Sequence, residues 1–268
     1  MNRSLGLVAL ALCGVAAGAG AQDAATIARR VAAAPDGEVR MAYAARDGVV
    51  GDGWNVIAWD CEGNHCRHYQ SRNWDGRDGW SWDRQDGPVR VALRVRDKTV
   101  VGMRLYVGGT WRTGESVTDL GMVPARAAAA YFIGLARQDI GRGASDAVFA
   151  AALADSVQIW RDLLALARDR TIRTDTRKKA IFWLGQEAED EATRGIDSLI
   201  DRTDEEIEVR KAAVFALSQR RSDESVPALI RIARTNTDLR LRKQAMFWLA
   251  QTDDPRALQL FEDILTKK

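Results

Sequence analysis

The chain has 268 residues, with 39 Lys and Arg against 37 Asp and Glu and 46% hydrophobic residues. That length accommodates one large domain or two small ones. The near-balance of charge supplies no overall field to hold a polyanion, which excludes a dedicated DNA- or RNA-binding protein.

The chain opens with Arg3, an apolar stretch from Leu5 to Ala17, and small residues ending Ala19-Gly20-Ala21. The run is too short to span a bilayer, and its Ala-x-Ala ending predicts a signal peptide over residues 1–21, cleaved before Gln22. Cys13 does not make a lipobox, because Leu12 stands where a small residue is required. No later stretch is long and apolar enough to cross a membrane, so the mature chain is expected to be periplasmic or secreted.

Residues 22–120 read as a small β-rich domain with a short N-terminal helix. The helix runs from Gln22 to about Ala34 and ends at Pro35-Asp36-Gly37. Val39 to Ala44 alternates with period two, Trp54 to Trp59 is a second short run, and Val89–Val95 is joined by Arg96-Asp97-Lys98 to Thr99–Val107 as an antiparallel hairpin.

Cys61 and Cys66, both retained after cleavage, lie with His65 and His68 in Cys61-Glu62-Gly63-Asn64-His65-Cys66-Arg67-His68. Two Cys and two His can form a tetrahedral zinc site, but no second motif closes the cage from elsewhere in the chain. An oxidising compartment favours the other reading, a Cys61–Cys66 disulfide at a hairpin tip, with no metal. Haem attachment requires a histidine directly after Cys66, where Arg67 stands.

Six of the nine tryptophans fall between Trp54 and Trp111, and Trp74, Trp80 and Trp82 share one Asp/Gly-rich loop. They either fill the core of a small domain or present rings to a sugar or peptide. Asp75-Gly76-Arg77-Asp78-Gly79 lacks the ligand spacing of a calcium loop. A connecting helix over about 124–137, within a linking segment 121–143, leads to the C-terminal part.

There a repeat is plain. Arg177–Gln186, Arg210–Gln219 and Arg242–Gln251 superimpose without gaps as R-K-x-A-[IVM]-F-[WA]-L-[GSA]-Q, and their arginines are 33 and then 32 residues apart. Each interval leaves room for one further helix. Asp190-Glu191-Ala192, Asp223-Glu224-Ser225 and Asp253-Asp254-Pro255 open those second helices. Asp146–Ala154 and Ser156–Ala167 fit a degenerate first pair. One pair cannot bury its own apolar face, but stacked pairs share a continuous core. Each first helix carries a five-residue apolar run, so Phe182, Phe215 and Phe247 are expected as equivalent core residues.

Residues 144–268 thus resemble HEAT repeats, in the short form of phycobilin-lyase-like HEAT proteins. The resemblance implies that Arg177, Arg210 and Arg242 tie consecutive repeats together through acidic partners. Asp175 and Glu208 stand two residues before the first two arginines, and Arg240 before the third. It also implies that the second helices line the concave face, where Arg231 and Arg234 are candidate partner-binding residues. Val89–Asp97, Val107-Gly108-Gly109-Thr110-Trp111 and an Asp119-Leu120-Gly121 helix start are similar to segments of secreted bacterial HEAT proteins with a small β-domain. That wider likeness carries no activity with it.

The fold class expected is α+β, a small antiparallel β-domain followed by an all-α HEAT-type solenoid. Deoxyhypusine hydroxylase holds two irons with His-Glu pairs on such repeats, and this chain has no histidine after His68. Phycobilin lyase chemistry lacks a substrate outside the cell. No phosphate loop or nucleophile elbow occurs. The function expected is a non-enzymatic, cofactor-free scaffold that binds an envelope protein or peptide. The alternatives are a ligand-binding or enzymatic role centred on the Trp-rich β-domain, or a bilin-lyase-like activity.

Overall fold

Asp23 accepts a hydrogen bond from the Thr26 amide at 2.7 Å and so starts helix α1 (Ala24–Ala33), whose Ile27 and Val31 face inward. A computed structural model describes residues 23–62, 65–69, 85–111, 114, 116–138, 140–187 and 190–266. Strands β1 (Gly37–Tyr43), β2 (Val50–Gly51), β3 (Val56–Glu62), β4 (His65–Tyr69), β5 (Val89–Arg96), β6 (Thr99–Val107) and β7 (Val117–Met122) follow. They form one sheet in the order β6-β5-β1-β7 and a second in the order β2-β3-β4.

The β5–β6 hairpin closes through Asp97 and Lys98, both at positive φ (48° and 60°), the geometry of a two-residue turn that matches strand twist. Along β5 the residues facing the core, Val89, Val91, Leu93 and Val95, alternate with outward ones.

The first sheet is not wholly antiparallel. β7 returns to pair parallel with β1, with a register shift between Arg40 and Ala42. Asp119-Leu120-Gly121, expected to start a helix, therefore lies in this edge strand, with Gly121 at φ +71°. Only Leu120 of β7 is buried, so the segment shows no alternation that would announce a strand.

Helix α2 (Ala125–Ala136) is buried along most of its length and meets the sheet through Phe132, whose ring centroid is 5.9 Å from that of Tyr43. Eight helices follow among the described residues, first and second helices alternating: α3 (Arg142–Ala152), α4 (Trp160–Arg168), α5 (Thr174–Leu184), α6 (Asp190–Asp201), α7 (Ile207–Ser218), α8 (Ser222–Thr235), α9 (Leu239–Leu249) and α10 (Pro255–Thr266). Among consecutive helices of the repeats the closest packing is of α4 on α5, α6 on α7 and α8 on α9. Pro255 occupies the first position of α10, where its missing N–H leaves no bond unmade.

The first helices pack in a row, α3 on α5 on α7 on α9, more closely than the second helices meet one another. At each repeat the alanine and the leucine of the motif are fully buried: Ala180 and Leu184, Ala213 and Leu217, Ala245 and Leu249.

The β-region and the solenoid are joined by one continuous hydrophobic core rather than by a linker. The Tyr43 hydroxyl donates to the Ala150 carbonyl at 2.6 Å, and the Arg46 amide to the Leu153 carbonyl at 2.9 Å. These bonds graft α3 and its C-terminal end onto strand β1 and the segment after it.

Candidate functional site

On the first helices, positions three and then four residues apart along one face carry Asp175, Lys178 and Phe182 on α5 and Glu208, Lys211 and Phe215 on α7. With Phe149 of α3 and Gln244 of α9 they line an open groove of about 620 Å³ across the row. The groove is lined by first helices, and Arg231 and Arg234 of α8 are not among its lining residues.

Phe182 and Phe215 line the groove rather than the core, and Phe247, outside the groove lining, is not a core residue either. Phe182 and Phe215 are partly exposed and Phe247 is 55% exposed, whereas the alanine and leucine flanking each in the motif take the buried positions. A five-residue apolar run on a helix covers more than one face, and the third residue of this run points to the groove.

The rings still connect the repeats. Phe149 stacks on Trp183 (centroids 5.4 Å apart), Trp183 meets Phe182 edge-on (5.3 Å), Phe182 stacks on Phe215 (6.3 Å), Phe215 meets Trp248 (5.2 Å), and Trp248 meets Phe247 (5.0 Å). A continuous aromatic path thus runs along all four first helices. Each such contact adds about 0.5–1.5 kcal/mol beyond its buried area. Arg46 lies over the Trp183 ring at 5.3 Å and ties the path to the β-region. The Lys179 ammonium sits 5.7 Å from the Phe149 ring and 5.8 Å from Phe182; burial lowers its pKa, against the opposing pull of Asp146.

The arginine of each repeat is a structural tie. Arg177 is fully buried; its Nε donates to the Ala167 carbonyl on α4 at 2.9 Å and its guanidinium meets Glu205 at 2.7 Å. Arg210 repeats the pattern, with Nε on the Ile200 carbonyl of α6 at 2.9 Å and Nη1 3.8 Å from Asp238. The acidic partners are not Asp175 and Glu208. They are Glu205 and Asp238, each 28 residues downstream, in the segments leading into the next first helix. Arg242, less buried, donates to the Asn236 carbonyl at 3.4 Å. Burial pushes the Glu205 carboxyl up, but Arg177, the Glu206 amide and Arg170 outweigh it and hold the group below its usual range.

Arg231 and Arg234 lie on the second helices, away from the groove, and are engaged between repeats. Arg231 bridges to Asp197 (3.0 Å) and Asp201 (3.3 Å) on α6, and Arg234 to Asp263 (2.8 Å) on α10. A third arginine of α8's surroundings, Arg220, which sequence reasoning passed over, bonds the Glu187 carbonyl and Glu224. Its only signal was its position directly after the repeat motif.

In the β-region, Trp54 is 59% exposed, while Trp111 is held between Arg40 (5.3 Å) and Arg90 (5.2 Å) with its edge against Tyr106. Trp74, Trp80, Trp82 and the Asp75–Gly79 segment lie outside the described residues. The β3–β4 register sets Cys61 opposite Cys66 and Glu62 opposite His65. The side chains of residues 59–69 are likewise outside the described set. Among the described residues no three His, Cys, Asp or Glu side chains converge as metal ligands do, and no helix is long and apolar enough to cross a membrane.

The HEAT repeats family matches residues 160–246 and, in a second overlapping alignment, 196–268. A search of curated proteins finds no match. The matched span covers helices α4 to α10, the units that the arginine ties hold together. The chain is therefore a HEAT repeat-containing protein, its helical repeats forming a scaffold at the C-terminal side of a small mixed sheet.

Proposed function

We propose that this protein is an exported, non-enzymatic scaffold that holds a protein or peptide of the cell envelope in the groove of its first helices. The observation that carries the reading is the aromatic path: rings that repeat at a fixed motif position yet stay partly open to solvent are contact area kept available rather than spent on the core. Stacked helix pairs supply an extended surface of this kind and no catalytic group. Export rests on the leader-like residues 1–21.

The test is site-specific photo-crosslinking in cells of the producing bacterium. A crosslinker in place of Phe215 is expected to trap a discrete adduct in the envelope fraction, while one in place of Arg231 traps none. Adducts from the Arg231 position alone would reject the groove. A crosslinker at Trp54 examines the second reading, which rests on the exposure of that ring.

A further inference from the structure

Resting on the groove reading above, we infer that the occupant is an extended acidic segment of another protein, in polyproline II conformation, with a carboxylate at every third residue and proline or aliphatic side chains between.

The first observation is which cations stand on the groove. Only seven of the chain's 39 basic residues are lysines, and four of them, Lys178, Lys179, Lys211 and Lys243, fall in the first helices of the repeats. Arginines make the fixed ties of this fold: Arg177, Arg210, Arg220, Arg231 and Arg234 all bond carbonyls or carboxylates of other elements or turns. A planar guanidinium suits such rigid contacts, whereas a lysine is a mobile point charge on a flexible stem that adapts to a ligand. Lys178, Lys211 and Lys243 occupy the same motif position on α5, α7 and α9; the first two line the groove, and Lys243 continues the series on the next first helix. Lys211 shares Glu208 at 3.0 Å, while Lys178 and Lys243 make no ion pair among the described residues.

The second observation is the geometry of the rows. On α5 and α7 the lysine stands one turn from the groove phenylalanine, so a row of ammonium groups runs alongside a row of rings. Packed helices stand about 8–10 Å apart, which sets the step expected between lysines at one motif position on neighbouring first helices. A polyproline II strand advances about 3.1 Å per residue and completes a turn every three residues, so it presents the same face every ~9 Å. Its every-third side chain keeps pace with the repeats, and the other two faces supply the apolar groups that aromatic grooves take from proline-rich segments. On the other side of the lysines, Asp175 and Glu208 repel the ligand's carboxylates and hold them over the lysine row.

Fluorescence anisotropy of the purified protein with a labelled peptide of repeated Glu-Pro-Leu triplets tests the inference. Three controls accompany it: a peptide of the same composition with scrambled glutamate spacing, a Lys-Pro-Leu peptide, and the variant Lys178→Ala/Lys211→Ala/Lys243→Ala checked for unchanged circular dichroism. The expected result is salt-sensitive binding of the triplet peptide, weakened about tenfold or more by the triple variant and by scrambling, and none of the lysine peptide. No binding at millimolar peptide, equal binding of the scrambled or lysine peptide, or an unchanged affinity in the triple variant overturns it. A Phe215 adduct in cells together with failure of the triplet peptide would refute this ligand class and leave the scaffold reading standing.

Discussion

The guanidinium of Arg177 and the carboxylate of Glu205 lie 2.7 Å apart, both side chains are fully buried, and they belong to successive repeats. Because Arg177 also closes back onto the Ala167 carbonyl of α4, one side chain joins three consecutive stretches of the solenoid. Removing one partner of a buried pair strands the other charge, at about 3–5 kcal/mol. Arg177→Ala should therefore lower the thermal midpoint well below that of Lys178→Ala, its partly exposed neighbour, in differential scanning fluorimetry.

The same pair sets a pH dependence. The Glu205 carboxyl titrates below its ordinary value of 4.5 in the folded chain, so the folded state binds its proton less readily than the unfolded one. The stability this contributes is fully present above about pH 4.5 and is lost as pH falls through the depressed folded value. The stability difference between the wild type and Glu205→Gln should thus be largest at neutral pH and shrink below pH 4.5. A difference that stays constant from pH 7 to pH 3 would contradict the assignment.

Leu217 and Phe215 separate core from groove. Leu217 is fully buried, and its truncation to alanine should cost about 2–5 kcal/mol, whereas Phe215→Ala, at a partly exposed position, should cost distinctly less. Chemical denaturation of the two variants measures this, and the reverse order would return Phe215 to the core.

That contrast marks how far the sequence could be read. The helix pairs, their boundaries and the β5–β6 hairpin were legible because a motif recurring at nearly constant spacing, or a clean alternation such as Val89 to Val95, has one physical solution. The apolar run Ala180–Leu184 announced burial but could not say which residue faces the groove, since that depends on where the neighbouring helix lies. The partners of Arg177 and Arg210 were hidden 28 residues downstream, while nearer acids invited a local pairing. Strand β7 escaped notice because an edge strand with one buried side chain has no periodic signature, and its parallel return to β1 is a tertiary fact.

Gly185 shows a packing limit on the motif. A Cβ added there would stand 2.9 Å from both the Cβ and the carbonyl oxygen of Ala216 on α7, so the two first helices would have to part. Ser218 and Ala250 fill the corresponding positions in the next two repeats, so the limit is local to α5. Gly185→Val should destabilise by about 1–3 kcal/mol in urea denaturation, and Ala250→Val by less.

The facing positions of Cys61 and Cys66 on β3 and β4 motivate a redox prediction. Directly opposed residues on antiparallel strands have backbones about 4.5–5.5 Å apart, within the range a disulfide spans. Protein isolated from the envelope without reductant should show no thiol reactive to maleimide in the denatured state and two after reduction. Two free thiols before reduction, or zinc recovered in equal molar amount, would reject the bond.

Arg231 gives the sharpest division between structure and function. It stands at the surface yet spans α8 and α6, meeting Asp197 and Asp201 together. Burial, with Asp201 adding to it, raises the Asp197 carboxyl above its usual range despite the opposing pull of Arg231. Arg231→Glu would bring a third negative charge to the same spot, converting attraction across the repeat boundary into repulsion. Exposed pairs contribute about 0–1 kcal/mol each, so the loss should be modest, partly relieved at high salt and at pH values low enough to protonate Asp197. Because Arg231 lies on the second helices, the variant should bind the acidic triplet peptide with unchanged affinity while its thermal midpoint falls. Weakened peptide binding by a variant of undiminished stability would instead place the contact surface on the second helices and remove the groove from consideration.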